Sequence, residues 1–304
     1  MTLQKVDVIY NEDSKLFLSD KTIFTDNSVD LIFTSPPYAE RRKNSYGGIH
    51  HDEYVEWFLP VSSELLRILK PTGSFILNIK ENVLNGERLT YVLELILALK
   101  KQGWYWIEEY CWYKKNSYPG KWPNRFRDTF ERCLHFTKNK KFTMYQDAVK
   151  VPIGDWAKSR FRSMSEKDFS RSVSGTNSMF GRNVSNWLKK KKVYPHNVVI
   201  FENEHYLENG QDNVLHFATE CRNRNHSAVF PLELPTWFIK LFTKKNDIVL
   251  DPFIGVGTTA IAAKLLGRHY VGIEIVNEYI VEANESLNEI ESLKKKWVLS
   301  QKKK

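Results

Sequence analysis

The stretch that decides the fold is Asp251-Pro252-Phe253-Ile254-Gly255-Val256-Gly257-Thr258-Thr259. The apolar residues 248–250 before it predict a short buried strand, and the apolar spacing over residues 258–266 predicts a helix. Two glycines in the turn between them allow the backbone to approach a bound ligand closely. A ligand turn between a strand and a helix is typical of open α/β folds.

An acidic residue ends the next predicted strand. Residues 269–275 are apolar and contain Gly272-Ile273-Glu274. A carboxylate in this place can accept hydrogen bonds from both hydroxyls of a ribose. Position 260 is alanine, so the dinucleotide pattern GxGxxG is not matched, and the lysine of a Walker loop is missing too. The pattern favours a nucleoside with a charged amino-acid tail, with Asp251 near the tail.

Strands and helices alternate along the rest of the chain. Strands are predicted over residues 6–10, 29–33, 74–79, 105–113 and 131–136, and helices over residues 53–69, 88–101, 231–242 and from 277 onward. Lys70-Pro71-Thr72-Gly73 predicts a helix stop followed by a turn. Periodicity is lost from about residue 140 to residue 220, where the chain is polar and basic. The alternation predicts an α/β fold with a mostly parallel sheet and helices on both faces.

A second motif, Thr34-Ser35-Pro36-Pro37-Tyr38, follows the predicted strand over residues 29–33. Ligands of open α/β sheets bind outside the carboxyl ends of the strands. Two prolines remove two backbone donors, which leaves the Ser35 hydroxyl and backbone carbonyls as acceptors. Acceptors of this kind can hold the N–H bonds of an amino group while Tyr38 stacks on a flat ring. The motif therefore predicts a pocket for a flipped base that carries an exocyclic amine.

The composition is that of a basic globular chain. It has 304 residues and a formal net charge of +9, which favours a polyanionic partner such as nucleic acid. No apolar run is long enough to cross a bilayer, and the first residues lack the pattern of a secretory signal. We therefore expect a cytoplasmic protein with no membrane partner.

The two motifs together resemble those of the amino-methyltransferases of bacterial restriction–modification systems, in the permuted (β) order that places the catalytic motif before the cofactor motif. A third matching segment is His226-Ser227-Ala228-Val229-Phe230-Pro231-Leu232-Glu233-Leu234-Pro235. In the family its first part commonly reads H-P-A-x-F-P, so Ser227 replaces a proline. The resemblance covers nearly the whole chain except its middle. It implies a Rossmann-like, S-adenosylmethionine-dependent methyltransferase fold with a seven-stranded, mostly parallel sheet and a circularly permuted motif order.

The resemblance also divides the chain. It implies a catalytic half over residues 1–139, an inserted target-recognition region over residues 140–222, and a cofactor-binding half over residues 223–304. In the family, the segment that corresponds to His226–Pro235 contacts the methionine part of the cofactor.

The implied activity is site-specific methylation of double-stranded DNA. Family members whose catalytic motif begins with serine mostly methylate N4 of cytosine, and those with aspartate or asparagine mostly methylate N6 of adenine, so Ser35 indicates cytosine. The base flips out, its amino nitrogen takes the methyl group from the sulfonium in line as the bond between sulfur and methyl breaks, and the product then loses a proton. No covalent enzyme intermediate and no metal are needed. Cys111, Cys133 and Cys221 lie in no Pro-Cys loop, which excludes the cysteine-dependent methylation of cytosine C5.

Three alternatives remain open at this level. They are an N6-adenine methyltransferase on the same scaffold, an RNA methyltransferase, and a DNA-binding subunit without catalysis. The sequence also leaves open whether a restriction endonuclease or a second methyltransferase accompanies the protein, and whether it is a monomer or a homodimer.

The residue assignments follow from the motifs. The catalytic and base-binding residues are Ser35, Pro36, Pro37 and Tyr38. The cofactor-binding residues are Thr34, Phe230, Asp251, Pro252, Phe253, Gly255, Gly257, Thr258, Thr259 and Glu274. Basic side chains in the middle region and in the loop after Tyr38 are expected to contact DNA: Arg41, Arg42, Lys43, Lys158, Arg160, Arg162, Arg171 and Arg182. His50 and His51 are not expected to bind a metal, because the sequence shows no neighbouring ligands to complete a shell.

Overall fold

The computed structural model describes residues 3, 5–40, 48–114, 124–126, 128–152, 192–200 and 230–290. The strands are β1 (Val8–Asn11), β2 (Val29–Thr34), β3 (Leu69–Ile79), β4 (Val83–Leu84), β5 (Glu87–Arg88), β6 (Tyr105–Tyr113), β7 (Phe130–Thr137), β8 (Val151–Pro152), β9 (Lys192–Val193), β10 (Val198–Ile200), β11 (Ile248–Asp251) and β12 (His269–Glu274). The helices are α1 (Ser14–Phe17), α2 (Tyr54–Ile68), α3 (Tyr91–Gln102), α4 (Glu233–Phe242), α5 (Thr258–Leu265) and α6 (Asn277–Asn288).

The main sheet of the described residues has eight strands in the order β1-β12-β11-β2-β3-β7-β6-β10. Every neighbouring pair is parallel except the two pairs that β7 makes with β3 and β6. The predicted mostly parallel sheet is therefore confirmed. It has one strand more than predicted because the three-residue strand β10 pairs with the end of β6 and extends the edge.

Helices cover both faces of this sheet. Along β2, Leu31 and Phe33 pack into one buried cluster while Ile32 packs into the other, as expected when alternate side chains point to opposite faces. The cluster around Ile32 includes residues of α2 and α3, and the other cluster includes residues of α4 and α5. Strand β2 is buried on both sides, which explains its continuous apolar sequence.

The predicted turn at Lys70-Pro71-Thr72-Gly73 is wrong, because these residues belong to β3. The strand begins at Leu69, directly after α2, and the pairing with β2 is irregular there. Val29 faces Leu69 but Leu31 faces Ser74, so the residues between them bulge out of the regular pairing. Gly73 is needed in this bulge, since a methyl group on it would lie 2.8 Å from the carbonyl oxygen of Asp30.

Other element boundaries differ from the prediction by a few residues. Helix α3 begins at Tyr91 instead of residue 88, because Glu87 and Arg88 pair with Val83 and Leu84 in a small hairpin. Helix α4 begins at Glu233 instead of residue 231. The shift of α3 follows from a strand pairing that the apolar pattern of a helix does not reveal.

Most of the predicted target-recognition region, residues 140–222, lies outside the described residues. Within the described part, β8 pairs with β9, and β10 joins the main sheet. The division into three regions stays a prediction. Among the described residues, no helix combines the length and apolar character needed to span a bilayer.

Gly257 permits the close contact between α5 and α6. It precedes α5 with φ +85°, and a methyl group on it would lie 2.7 Å from Cβ of Ala283. We predict that Gly257→Ala lowers the free energy of unfolding by about 2 to 4 kcal/mol, because the left-handed backbone and the steric overlap both disfavour alanine. Urea denaturation measures this loss.

Gly267→Ala is the matched control for backbone conformation. Gly267 has φ +70°, but its methyl group would meet only the flexible side chain of Lys245, at 3.8 Å or more. A loss of about 1 to 2 kcal/mol is expected there from the backbone alone. Equal losses in the two variants would contradict the close packing of Gly257 on α6.

Candidate active site

The two sequence motifs meet at the carboxyl ends of β2 and β11, which are adjacent parallel strands. Thr34 Oγ1 donates a hydrogen bond of 2.6 Å to Asp251 Oδ1, and Thr259 Oγ1 at the start of α5 donates one of 2.6 Å to Asp251 Oδ2. The backbone N–H of Phe253 also donates to Oδ1, at 3.1 Å. One buried carboxylate therefore joins the end of β2, the end of β11 and the first turn of α5.

Burial makes Asp251 electrostatically unusual. The residue is 1% exposed, and this desolvation raises the pKa of its carboxyl group to about 6, against the lowering effect of the hydrogen bonds from Thr259 and Thr34. The negative charge of Glu274 adds to the rise in pKa. Both oxygens of Asp251 are used to hold the turn, and its predicted contact with the tail of a cofactor stays a prediction.

Glu274 lies at the end of β12, beside the glycine turn. Its Oε2 accepts a hydrogen bond of 2.9 Å from the N–H of Gly255, and its Oε1 accepts one of 2.9 Å from the N–H of Val276. Gly255 has φ +53°, a conformation that glycine adopts without strain. The structure thus brings Glu274 into contact with the turn at Gly255, as the sequence spacing predicted.

Apolar side chains surround this turn. Phe253 is partly exposed and packs on Trp57 of α2 with ring centroids 5.6 Å apart. Ile275, directly after Glu274, is 54% exposed. A nucleoside needs an apolar surface for its flat base and an acceptor for its ribose hydroxyls, and this edge of the sheet offers both. Sequence reasoning missed Trp57 and Ile275, because neither belongs to a recognisable motif.

All ten predicted cofactor residues lie among the described residues at or next to this edge. Phe230 packs edge-on against Phe33, the residue before Thr34, with centroids 5.3 Å apart. The carbonyl of Pro252 accepts a hydrogen bond from Ser14. Gly257 and Thr258 form the junction between the turn and α5. Their individual contacts with a cofactor remain predictions.

The predicted catalytic motif, Ser35-Pro36-Pro37-Tyr38, is held by hydrogen bonds from other elements. Tyr54 of α2 donates from its hydroxyl to the carbonyl of Pro37 at 2.9 Å. Tyr38 donates from its hydroxyl to Glu131 Oε2 of β7 at 2.9 Å, and Ser35 Oγ lies 3.3 Å from the same hydroxyl. Burial, followed by the charge of Glu131, raises the pKa of Tyr38 well above its ordinary value.

Sequence reasoning missed Tyr54 and Glu131. It also missed Asn78, whose Oδ1 lies 3.5 Å from the Tyr38 hydroxyl, and Lys114, which pairs with Glu131. They lie on elements distant in sequence, so no local spacing connects them to the motif. The sequence gives little signal for Glu131, because it begins a predicted strand in which the next residue, Arg132, is charged as well.

His50 and His51 have a carboxylate neighbour that the sequence argument overlooked. Glu40 Oε1 lies 3.0 Å from His51 Nδ1 and 3.5 Å from His50 Nε2, so the three side chains offer three potential metal ligands. Hydrogen bonds account for their arrangement, since Glu40 also accepts from the backbone N–H of His51. The expectation that the protein needs no metal stays a prediction.

The predicted DNA-contacting residues all lie outside the described residues: Arg41, Arg42, Lys43, Lys158, Arg160, Arg162, Arg171 and Arg182. Their roles stay predictions.

Solved structures of two DNA methyltransferases share this fold. The structure is similar to the cytosine-N4-specific PvuII DNA methyltransferase, with a TM-score of 0.62 and 22% identity over 93% of this chain and 86% of that one. It is also similar to the complex of M1.HpyAVI with SAM, with a TM-score of 0.55 and 20% identity over 95% of this chain and 100% of that one.

The family model described as DNA methylase, for N6 and N4 methyltransferases, matches residues 29–285. The chain therefore belongs to the N6/N4 DNA methylase family and is a DNA methyltransferase. Its sequence is 28% identical to the type II methyltransferase M.PvuII of Proteus hauseri over 84% of this chain and 77% of that protein. It is 28% identical to the type II methyltransferase M.BglII of Bacillus subtilis over 94% of this chain and 70% of that protein.

The raised pKa of Asp251 predicts a pH-dependent stability. Its carboxyl group binds its proton more tightly in the folded state than in the unfolded state, where the pKa is near 3.8, so stability is lost as pH rises towards and through about 6. At neutral pH the raised pKa lowers the free energy of unfolding by about 3 kcal/mol, compared with its value at a pH where Asp251 is protonated in both states. Relative to Asp251→Asn, the wild-type free energy of unfolding should fall by roughly this amount between pH 4 and pH 7, as measured by urea denaturation.

Glu278→Gln is the control, because it removes one carboxylate that is exposed on α6. A pH-dependent difference from the wild type as large as that of Asp251→Asn would mean that the loss of any carboxylate has this effect. A difference between the wild type and Asp251→Asn that does not change with pH would contradict the buried-carboxyl account.

Proposed function

We propose that this DNA methyltransferase transfers a methyl group from S-adenosylmethionine to the exocyclic N4 amino group of cytosine at a specific site in double-stranded DNA. The observation that carries the proposal is the meeting of the Ser35-Pro36-Pro37-Tyr38 motif and the Gly255–Gly257 turn at one edge of the sheet, tied by Asp251. The serine at position 35 favours cytosine within this family. The similarity to a structure described as cytosine-N4-specific supports the same choice.

S-adenosylmethionine fits the residues at the carboxyl ends of β11 and β12. Glu274 offers the acceptor for a ribose, Phe253 and Ile275 offer apolar surface for the adenine, and the turn at Gly255 allows close approach of the backbone. The solved structures of TTHA0409 and M1.HpyAVI, which share this fold, are described as complexes with this cofactor. When bound, the cofactor supplies a methyl group on a positively charged sulfur.

The residues of the catalytic motif bind and orient the base. After the target nucleotide flips out of the duplex, the ring of Tyr38 stacks on the base. Ser35 Oγ and the carbonyl of Pro36 accept the N–H bonds of the amino group, which directs the nitrogen lone pair away from them and towards the methyl donor. Catalysis comes from positioning and from electrostatic complementarity, and it needs no covalent bond to the chain.

The proposal also covers the recognition of the DNA sequence and the system in which the enzyme works. The basic middle region recognises the target sequence, and the protein works in a restriction–modification system beside an endonuclease. These roles are supported by the charge of the chain and by the type II methyltransferases to which it is similar.

Nucleoside analysis tests the activity directly. Plasmid DNA incubated with the protein and S-adenosylmethionine, then digested to nucleosides, should contain N4-methylcytosine by mass spectrometry. N6-methyladenine would overturn the choice of base and establish the alternative on the same scaffold. DNA without any methylated nucleoside would contradict the proposed activity, and RNA treated in parallel tests the RNA alternative.

Two variants separate base binding from cofactor binding. Ser35→Ala should lower the single-turnover methylation rate about 100-fold while the dissociation constant for the cofactor stays within about 3-fold, because only an acceptor for the base is lost. Glu274→Gln should weaken cofactor binding about 10-fold or more, because a charged acceptor for the ribose is lost. Isothermal titration and single-turnover kinetics measure the two effects. Equal loss of cofactor affinity in both variants would contradict the assigned roles.

A further inference from the structure

The hydroxyl of Tyr38 lies among groups that accept hydrogen bonds. Glu131 Oε2 is 2.9 Å away and Asn78 Oδ1 is 3.5 Å away. Asn78 Nδ2 donates to the carbonyl of Arg132 at 3.2 Å, which turns Oδ1 towards Tyr38. A carboxylate and an amide oxygen accept but do not donate. Tyr38 therefore donates its single hydroxyl hydrogen, and the shorter distance assigns it to Glu131.

Glu131 is fixed in place by an ion pair. Its side chain is 9% exposed, and its second oxygen, Oε1, accepts from the ammonium group of Lys114. That ammonium group also lies 4.7 Å from the ring centroid of Trp112. Burying an unpaired carboxylate is costly, so the charge of Lys114 stabilises Glu131 beside Tyr38. The acceptor that Tyr38 meets is therefore a carboxylate whose other oxygen is paired with Lys114.

Because Tyr38 donates to Glu131, the hydrogen bond between Ser35 and Tyr38 can have only one direction. Ser35 Oγ lies 3.3 Å from the hydroxyl oxygen of Tyr38, and geometry alone allows either atom to donate. Because the hydrogen of Tyr38 is used towards Glu131, Ser35 is the donor in this pair. The lone pairs of Ser35 then point away from Tyr38, and Ser35 acts as an acceptor towards any other group that approaches it.

We propose that Lys114 and Glu131 are positioning residues that act through Tyr38 and fix Ser35 as the hydrogen-bond acceptor for the amino group of the target base. The inference rests on the proposed function, and specifically on the role of Ser35. It holds for cytosine and for adenine alike, because both exocyclic amino groups present N–H donors. Tyr38 gains a second role beside stacking, since its hydroxyl transmits the direction of the hydrogen bond.

The protonation of Tyr38 is consistent with this chain of bonds. Burial and the charge of Glu131 hold the pKa of Tyr38 well above its ordinary value, so the phenol keeps its hydrogen at any pH at which the protein works. Glu131→Gln removes the carboxylate that forces the Tyr38 hydroxyl to donate towards residue 131. A glutamine can present its NH2 group to Tyr38, which frees the phenol to donate to Ser35 and turns the serine hydrogen towards the base.

A double-mutant cycle tests whether Glu131 acts through Tyr38. Glu131→Gln should lower the single-turnover rate at saturating DNA and cofactor about 10- to 100-fold, while both dissociation constants stay within about 3-fold. In a Tyr38→Phe background, which lacks the connecting hydroxyl, the same change should lower the rate less than about 3-fold further. An unchanged rate in Glu131→Gln, or an equal loss in both backgrounds, would overturn the proposal.

Glu81→Gln is the matched control. Glu81 is also 9% exposed and forms a 2.7 Å ion pair with Arg132, the neighbour of Glu131, but it has no hydrogen bond to Tyr38 among those of the described residues. Its single-turnover rate should stay within about 3-fold of the wild type. A loss as large as that of Glu131→Gln would mean that any buried ion pair near β7 has this effect, and the proposal would fail.

A spectroscopic measurement separates this inference from the proposed function. With tyrosine carbon-13-labelled at Cζ, the Tyr38 resonance, assigned by its absence in Tyr38→Phe, should shift in Glu131→Gln and not in Glu81→Gln. A resonance that does not move would refute the Tyr38–Glu131 bond whatever the activity. A wild type that methylates no nucleoside would refute the proposed function, whereas an active wild type with an equally active Glu131→Gln would refute the positioning role alone.

Discussion

The structure depends on one buried carboxylate. Asp251 receives a hydroxyl hydrogen bond from Thr34 on one oxygen and from Thr259 on the other, both at 2.6 Å. These three residues come from the end of β2, the end of β11 and the start of α5, so a single side chain fixes the relation between the motif proposed to bind the base and the turn proposed to bind the cofactor. Because transfer of a methyl group requires the two substrates to meet at a defined distance, a rigid connection between their sites is a requirement of the chemistry.

This connection has an energetic cost. Burial raises the pKa of Asp251 to about 6, which means that the ionised form is less favourable in the folded protein than in water. The two threonine hydroxyls and the N–H of Phe253 offset part of that cost by donating to the carboxylate. A neutral side chain would avoid the cost, but it could not accept hydrogen bonds from three donors at once.

Around the predicted catalytic motif, neighbouring side chains determine which groups donate hydrogen bonds and which accept them. The prolines of the motif remove donors, and Tyr54 occupies the carbonyl of Pro37. Glu131, paired with Lys114, takes the hydrogen of Tyr38. Side chains from α2, from β7, from the residue after β6 and from the motif itself thus leave a surface that accepts hydrogen bonds. An amino group of a base would recognise this property.

The sequence by itself determined the main elements and the residues of the two motifs. The apolar runs over β2, β3 and β11 predicted buried strands because a parallel sheet covered on both faces is apolar on both sides. The glycine turn and Glu274 were identified from spacing, because a strand, a turn and the next strand are local features. The turn predicted at residues 70–73 failed, because the bulge that places these residues in β3 arises from pairing with β2, a partner distant in sequence.

Only the tertiary structure decided which side chains surround the motifs. The threonine at position 34 meets Asp251 across more than two hundred residues of chain, and Tyr38 meets Glu131 across more than ninety. Which strands become neighbours depends on the packing of the whole sheet, and the direction of a hydrogen bond depends on every partner of the groups involved. A local pattern carries neither kind of information, so the positioning role of Glu131 and Lys114 emerges only from the fold.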